Sequence, residues 1–294
     1  MFEVGSGLEI AYSSPVGNVP ILSDRCSIEQ VLERMKLRKR KAPSLCVTAG
    51  APFLRRVVSL HEKFERTRYP FNIRAFSDGI DLSFRASVTF FVGENGSGKS
   101  TLLEAIGECI GFNPEGGNRD HHRAAFAERS DLAQSLRLSW LPKVMEGFFM
   151  RAESFYNFAT YIDQVSDLRA YGGKSLHQQS HGESFLSLFL NRFEQGIYIL
   201  DEPEAALSPQ RQLSFLKIIH DLATPGHAQF LISTHSPILL SYPGAVLFSL
   251  DGDTIREVAY RETEHYLVTR DFLNAPERFF RHLFGTPCDE KEDR

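Results

Sequence analysis

The apolar positions of this chain fall into short continuous runs of strand length, separated by stretches of helical period. Ser87-Val88-Thr89-Phe90-Phe91-Val92 is such a run and predicts a buried β-strand. Leu102-Leu103-Glu104-Ala105-Ile106 predicts the first turns of a helix after it. Ile80-Asp81-Leu82-Ser83-Phe84 alternates as a half-buried strand does. The region 112–175 is mixed, with a strand expected at Gly147-Phe148-Phe149-Met150-Arg151 and a helix over 154–164. Residues 184–193 predict an amphipathic helix, with Phe185, Leu188, Phe189 and Phe193 at helical spacing. Gly196-Ile197-Tyr198-Ile199-Leu200-Asp201 predicts a buried strand that ends in an acid. A helix is expected over 209–222, its apolar face read from Leu213, Leu216, Ile219 and Leu222 at three-residue steps. Gln229-Phe230-Leu231-Ile232-Ser233 predicts a further buried strand. Runs 246–250 and 254–258 flank Asp251-Gly252-Asp253, a hairpin signal.

Strands alternating with helices predict an α/β fold. The organisation expected is a partly flexible, basic N-terminal extension over 1–55, a main domain over 56–284 and a polar disordered tail over 285–294. The extension contains Val31-Leu32-Glu33-Arg34-Met35-Lys36-Leu37-Arg38-Lys39-Arg40-Lys41, which has two open readings: a contact for nucleic acid or an acidic partner, or a solvated arm. An apolar content of 42% supplies a core, and a net charge of −4 gives no global sign of a nucleic-acid or membrane partner. Cys26, Cys46, Cys109 and Cys288 are scattered, without metal-ligand or disulfide spacing. That usage suits a reducing compartment, so a cytoplasmic location is expected. No stretch approaches the roughly 18 apolar residues of a membrane span, and no integral membrane segment or secretory signal is expected. Neither an internal repeat nor a long heptad run stands out.

The chemistry concentrates at the ends of the apolar runs. Gly93-Glu94-Asn95-Gly96-Ser97-Gly98-Lys99-Ser100-Thr101 fits the phosphate-binding pattern G-x-x-x-x-G-K-[ST] between a predicted strand and a predicted helix. Gly93, Gly96 and Gly98 let the backbone curl and turn its amides inward, forming an anion site at a helix N-terminus. Lys99 is placed to reach the β and γ phosphates of a nucleotide, and Ser100 to sit on Mg²⁺. Asp201, at a strand end, suits the metal shell; Glu202 beside it suits a general base for an attacking water. Gln179-Ser180-His181-Gly182-Glu183-Ser184 opens a predicted helix and offers a second anion site, or a simple Ser180 N-cap. His235, in Ile232-Ser233-Thr234-His235-Ser236-Pro237, follows a buried strand and can hydrogen-bond a γ-phosphate. His121-His122 beside Asp120 reads as solvated loop histidines rather than a metal site.

In their order along the chain, these pieces resemble the ABC-type ATPases. Gly93 to Thr101 resembles the Walker A loop, and Ile197 to Glu202 resembles Walker B with its catalytic glutamate. Ser180-His181-Gly182-Glu183 resembles a degenerate signature motif in which His181 replaces a glycine. Glu204-Ala205-Ala206-Leu207-Ser208-Pro209 resembles the D-loop, and His235 the switch histidine. Asp-Glu-Pro-Glu-Ala-Ala-Leu-Ser-Pro is more similar to the soluble SMC, RecF and OLD-like branch than to transporter subunits, where Thr usually follows the Pro. More narrowly, residues 149–155, 179–184, 263–266 and 271–274 resemble small stand-alone bacterial AAA-family ATPases. Two family parts have no clear match. Arg151 or Glu153 stands where a Q-loop glutamine is expected, and Tyr69, with Phe71 behind it, is best placed to stack on adenine or to pack.

The resemblance implies a mixed central sheet flanked by helices with a small helical signature lobe. It implies hydrolysis of ATP to ADP and phosphate with Mg²⁺, catalysed by Lys99, Glu202 and His235. It also implies an ATP-sandwich homodimer in which Ser180 to Glu183 complete the partner copy's site. Such closure would drive or gate a soluble process involving DNA, defence or an effector protein. Two rival functions stay open: a nucleotide-gated binding module with little turnover, and the energy subunit of a transporter.

Overall fold

The main sheet of the computed structural model collects the long apolar runs of the sequence. Residues 50–60, 62, 67–113, 129–151, 186, 189 and 195–285 are described. All belong to the unit Pro43–Arg294; the other unit, Met1–Ala42, lies outside the described residues. So do the predicted helix 154–164, the signature lobe, the basic segment 31–41 and the tail 286–294.

Two sheets stand among the described residues. The larger has six strands in the order β5-β6-β7-β3-β8-β9. These are β3 (Val88–Val92), β5 (Gly147–Arg151), β6 (Gly196–Asp201), β7 (Ala228–Ser233), β8 (Val246–Ser249) and β9 (Arg256–Val258). The pairs from β5 through β8 are parallel, and β9 returns antiparallel on β8. The sheet is therefore mixed, as an α/β fold with helices between its strands allows. Every residue of β3, β6 and β7 is buried. Inner strands of a covered parallel sheet need apolar side chains on both faces, which is why they read as unbroken runs.

The smaller, antiparallel sheet has the order β2-β1-β4, with β1 (Leu54–Ser59), β2 (Asp81–Ser83) and β4 (Leu136–Trp140). β1 starts inside the stretch assigned to the N-terminal extension. Its burial does not alternate, because the register on β4 shifts between Leu54 and Arg56. Gln229 of β7 joins the sheets. Its side-chain oxygen accepts from Phe53 N and Leu54 N at 2.8 Å each, and its amide donates to Leu54 O at 3.0 Å.

Helix α1 (Lys99–Ile110) follows the phosphate loop and buries Leu102, Leu103, Ala105, Ile106 and Ile110. It ends at Gly111 with φ +98°, where the glycine's freedom lets the chain reverse. A short helix α2 (Asp131–Ser135), N-capped by Ser130, leads into β4. Helix α3 (Pro209–Ala223) has the predicted extent and part of the predicted face, with Ile219 buried and Leu216 and Leu222 half-buried. Its buried side is Gln212, Phe215, Ile218 and Ile219, and Leu213 is exposed. With about 3.6 residues per turn, each three-residue step falls about 60° short of a full turn, so a strict three-residue series winds off its face. Of the helix expected over 184–193, Leu186 and Phe189 are described, both helical and buried. Phe189 meets Phe215 edge to face with centroids 4.8 Å apart.

The C-terminal region adds α4 (Pro237–Leu240), α5 (Glu264–Asn274) and α6 (Pro276–Phe284). No described helix is long and apolar enough to cross a membrane.

Gln229→Leu removes the acceptor for two buried backbone N–H groups, so it should destabilise the domain by about 2–4 kcal/mol. Urea unfolding of the variant beside the parent chain measures that loss.

Candidate active site

The register of the parallel strands brings the chemical residues to one edge. Arg151 of β5 lies opposite Asp201 of β6, Asp201 opposite Ser233 of β7, and Ser233 opposite Phe91 of β3. The phosphate loop leaves β3 one residue later. Ligands of open α/β sheets bind at these carboxyl ends.

The loop is built on positive φ angles: +149° at Gly93, +84° at Gly96 and +100° at Gly98. At Gly98 both conformation and space demand glycine, since a Cβ there would lie 2.9 Å from Ile73 Cγ2. Lys99 is buried, and its ammonium donates to Gly93 O at 2.6 Å and Glu94 O at 3.0 Å. Burial pushes its pKa below the usual lysine value, against the nearby charges of Glu202, Asp251, Asp201 and Glu94. Asp251, from the β8–β9 turn, accepts from Glu94 N at 2.7 Å and so ties the loop to the neighbouring strand end. A cleft of about 250 Å³ opens beside the loop, lined by Tyr69, Asn95, Gly98, Lys99, Thr101 and Glu202. The Ser97 hydroxyl is buried with no hydrogen-bond partner among the described residues.

Asp201 is the point of convergence. Its Oδ1 accepts from Ser100 Oγ at 3.2 Å and Ser233 Oγ at 2.5 Å, while Oδ2 accepts from Arg151 Nε at 3.1 Å. Arg151 also pairs with Glu104 of α1. Thus Arg151, one of two candidates for the Q-loop place, is bonded to the candidate metal ligand. The other, Glu153, lies outside the described residues.

Glu202 takes φ +51°, ψ +52°, a left-handed conformation that turns the chain off the sheet. Its Oε1 is 3.5 Å from His235 Nε2, which makes no hydrogen bond among the described residues. The His235 backbone N–H donates to Glu204 Oε1 at 2.6 Å. Burial raises the Glu204 pKa; bonds from the His235 and Glu204 amides and the Thr234 side chain oppose the rise.

Tyr69 is largely exposed, with its hydroxyl 3.5 Å from Thr101 Oγ1, whereas Phe71 is a core residue. Ser180, His181, Gly182 and Glu183 lie outside the described residues, as do Asp120, His121 and His122. The structure therefore brings together Lys99, Ser100, Asp201, Glu202 and His235. It adds Ser233, Asp251 and His265, none of which the sequence reading selected. Ser233 and Asp251 each end an apolar run, and that position was the available signal. His265, 2.7 Å from His235, stands in the stretch 263–266 that carried the narrower resemblance, which assigned it no role.

Gly98→Ala should cost about 1–2 kcal/mol for its left-handed backbone alone, and it crowds Ile73. A fall in melting temperature with weaker binding of a fluorescent ATP analogue is the expected result.

Residues 71–161 match a family described as AAA domain, and residues 175–240 one described as AAA ATPase domain. The hemin import ATP-binding protein HmuV of Aliivibrio fischeri is 27% identical over 208 residues, 63% of this chain and 79% of that protein. The macrolide export ATP-binding/permease protein MacB of Burkholderia lata is 26% identical over 223 residues, 64% of this chain but 30% of that protein. The SMC head domain from Thermotoga maritima has a TM-score of 0.41 and 16% identity over 70% of this chain and 98% of that one. The first family match takes in the phosphate loop and Arg151, and the second the strand ends at Asp201 and Ser233, so over the residues of the site just described the chain is similar to AAA ATPase domains.

Proposed function

We propose that the chain binds MgATP in the cleft beside Gly98 and hydrolyses it to ADP and phosphate, with turnover completed by a second copy. The observation that carries this reading is the meeting of Ser100 Oγ and Asp201 Oδ1 at 3.2 Å beside the buried Lys99. A hydroxyl and a carboxylate from neighbouring elements suit Mg²⁺, which takes oxygen ligands and completes its octahedron with water and phosphate. Among the described residues no group of three or more His, Cys, Asp or Glu offers a rival metal site. When bound, Mg²⁺ would supply charge neutralisation on the phosphate oxygens.

The chain's own groups do the rest. Loop amides and Lys99 hold the polyphosphate. Glu202 orients a water and takes its proton as the water oxygen bonds to the γ-phosphorus and the bridging oxygen leaves with ADP. His235 donates to the γ-phosphate. Tyr69 stacks on the adenine. Ser180, His181, Gly182 and Glu183 complete the nucleotide site of the partner copy, so ATP favours the closed dimer because it contacts both copies only there.

Lys99→Ala should abolish steady-state phosphate release; retained activity would remove the site assignment. Glu202→Gln should slow turnover by about a hundredfold or more while ATP still binds. With MgATP it should elute from gel filtration as a dimer. A monomer that binds ATP would sink the sandwich but leave the site standing.

A further inference from the structure

The imidazole of His265 lies against the site on a separate element. His265 is on the first turn of α5, and its Nε2 is 2.7 Å from His235 Nδ1. The rings lie 4.9 Å apart at 52°. The placement is fixed from two sides. Thr263 caps α5, its Oγ1 accepting from Tyr266 N at 3.3 Å and donating to Tyr260 O at 2.7 Å. Tyr260 in turn donates its hydroxyl to Pro237 O at 3.0 Å, two residues after His235. The start of α5 and the loop after β7 are therefore clamped together.

Two imidazole nitrogens 2.7 Å apart must share a single proton, so one donates and the other accepts. The surroundings choose between the two arrangements. His235 Nε2 faces Glu202 Oε1 at 3.5 Å, and a carboxylate only accepts. If Nδ1 of a neutral His235 held the proton, the bare Nε2 lone pair would face that carboxylate and any phosphate oxygen in the cleft. We infer that His265 is a positioning residue: its Nε2–H donates to His235 Nδ1 and so holds His235 in the tautomer whose Nε2–H points at Glu202 and the γ-phosphate. The inference rests on the proposed role of His235. Burial, then the charges of His235 and Lys99, push the His265 pKa below the ordinary histidine value, against Asp251 and Glu94. A neutral ring with one N–H is the form this geometry requires.

The full chain labelled with ¹⁵N and observed by long-range ¹H–¹⁵N spectra reports the tautomer directly. His235 should carry its proton on Nε2; a proton on Nδ1 overturns the inference whatever the kinetics. His265→Gln keeps a donor near the Nε2 position, whereas His265→Asn is too short to reach and His265→Phe has none. His265→Gln should keep kcat within about threefold of the parent. The other two should lose about tenfold to a hundredfold in kcat, with KM for ATP within about twofold, and lose the single His235 tautomer. Equal loss in all three variants with the tautomer unchanged indicates packing alone and overturns the inference. If His265→Phe does not fold, the parent spectrum and the Gln/Asn pair still decide. Wild-type turnover in His235→Ala would refute the role of His235 in hydrolysis, yet the spectrum would still report what His265 does.

Discussion

One buried carboxylate organises this molecule's chemistry. Asp201 is 6% exposed, and a charge taken that far from water persists only when it is bonded and opposed by a cation. Its partners come from α1, β5 and β7, so each bond to Asp201 also fixes an element relative to β6. Ser100 sets the start of α1 and with it the amides of the phosphate loop. Ser233 fixes the end of β7, two residues before His235. Arg151 supplies the opposing charge and carries it on to Glu104. By contrast, exposed pairs such as Arg56–Asp81 contribute little, since water and salt screen them.

A second layer of contacts surrounds this centre and uses backbone groups. Lys99 is held by two carbonyls of its own loop, Glu94 N by Asp251, and His235 N by Glu204. The last two each tie a short turn to a neighbouring strand end. The positions of Lys99, Glu202 and His235 are thus set by the register of β6, β7, β3 and β8, and local loop sequence supplies only the conformations that register requires.

That division explains what could be read in advance. The phosphate loop is contiguous, and its glycines and lysine carry their meaning locally. The strands behind it were legible because burial on both faces leaves continuous apolar runs. Asp201 and Glu202 were legible as acids at the end of one such run. Ser233, Asp251 and His265 act through partners 32, 157 and 30 residues away; the end of an apolar run marks the first two positions, but nothing local names the partner of any of the three. Of the small sheet, β2 was read from its alternation, whereas β1 was missed because the bulge at its start breaks the alternation. Leu213 was misplaced on the buried face of α3 by counting threes on a helix that turns in about 3.6.

Glu202 shows where local preference yields to the site. It is the one non-glycine with positive φ among the described residues, and it precedes Pro203, which disfavours helical backbone at the position before it. Such a conformation costs about 1–3 kcal/mol and persists only where its surroundings over-determine it. Here they do. Glu202 N donates to Ser233 O, Ala205 N to Glu202 O, and Glu204 on the same turn is bonded to His235 N. An extended residue at this place would continue β6 and point its side chain at a sheet face. The left-handed turn instead brings the carboxylate to the cleft, in reach of His235 and beside the loop that holds Lys99. The strain at Glu202 and the buried charge at Asp201 are therefore two parts of one arrangement. The aspartate locks the strand ends in register, and that lock holds the next residue in a conformation the chain alone would not choose.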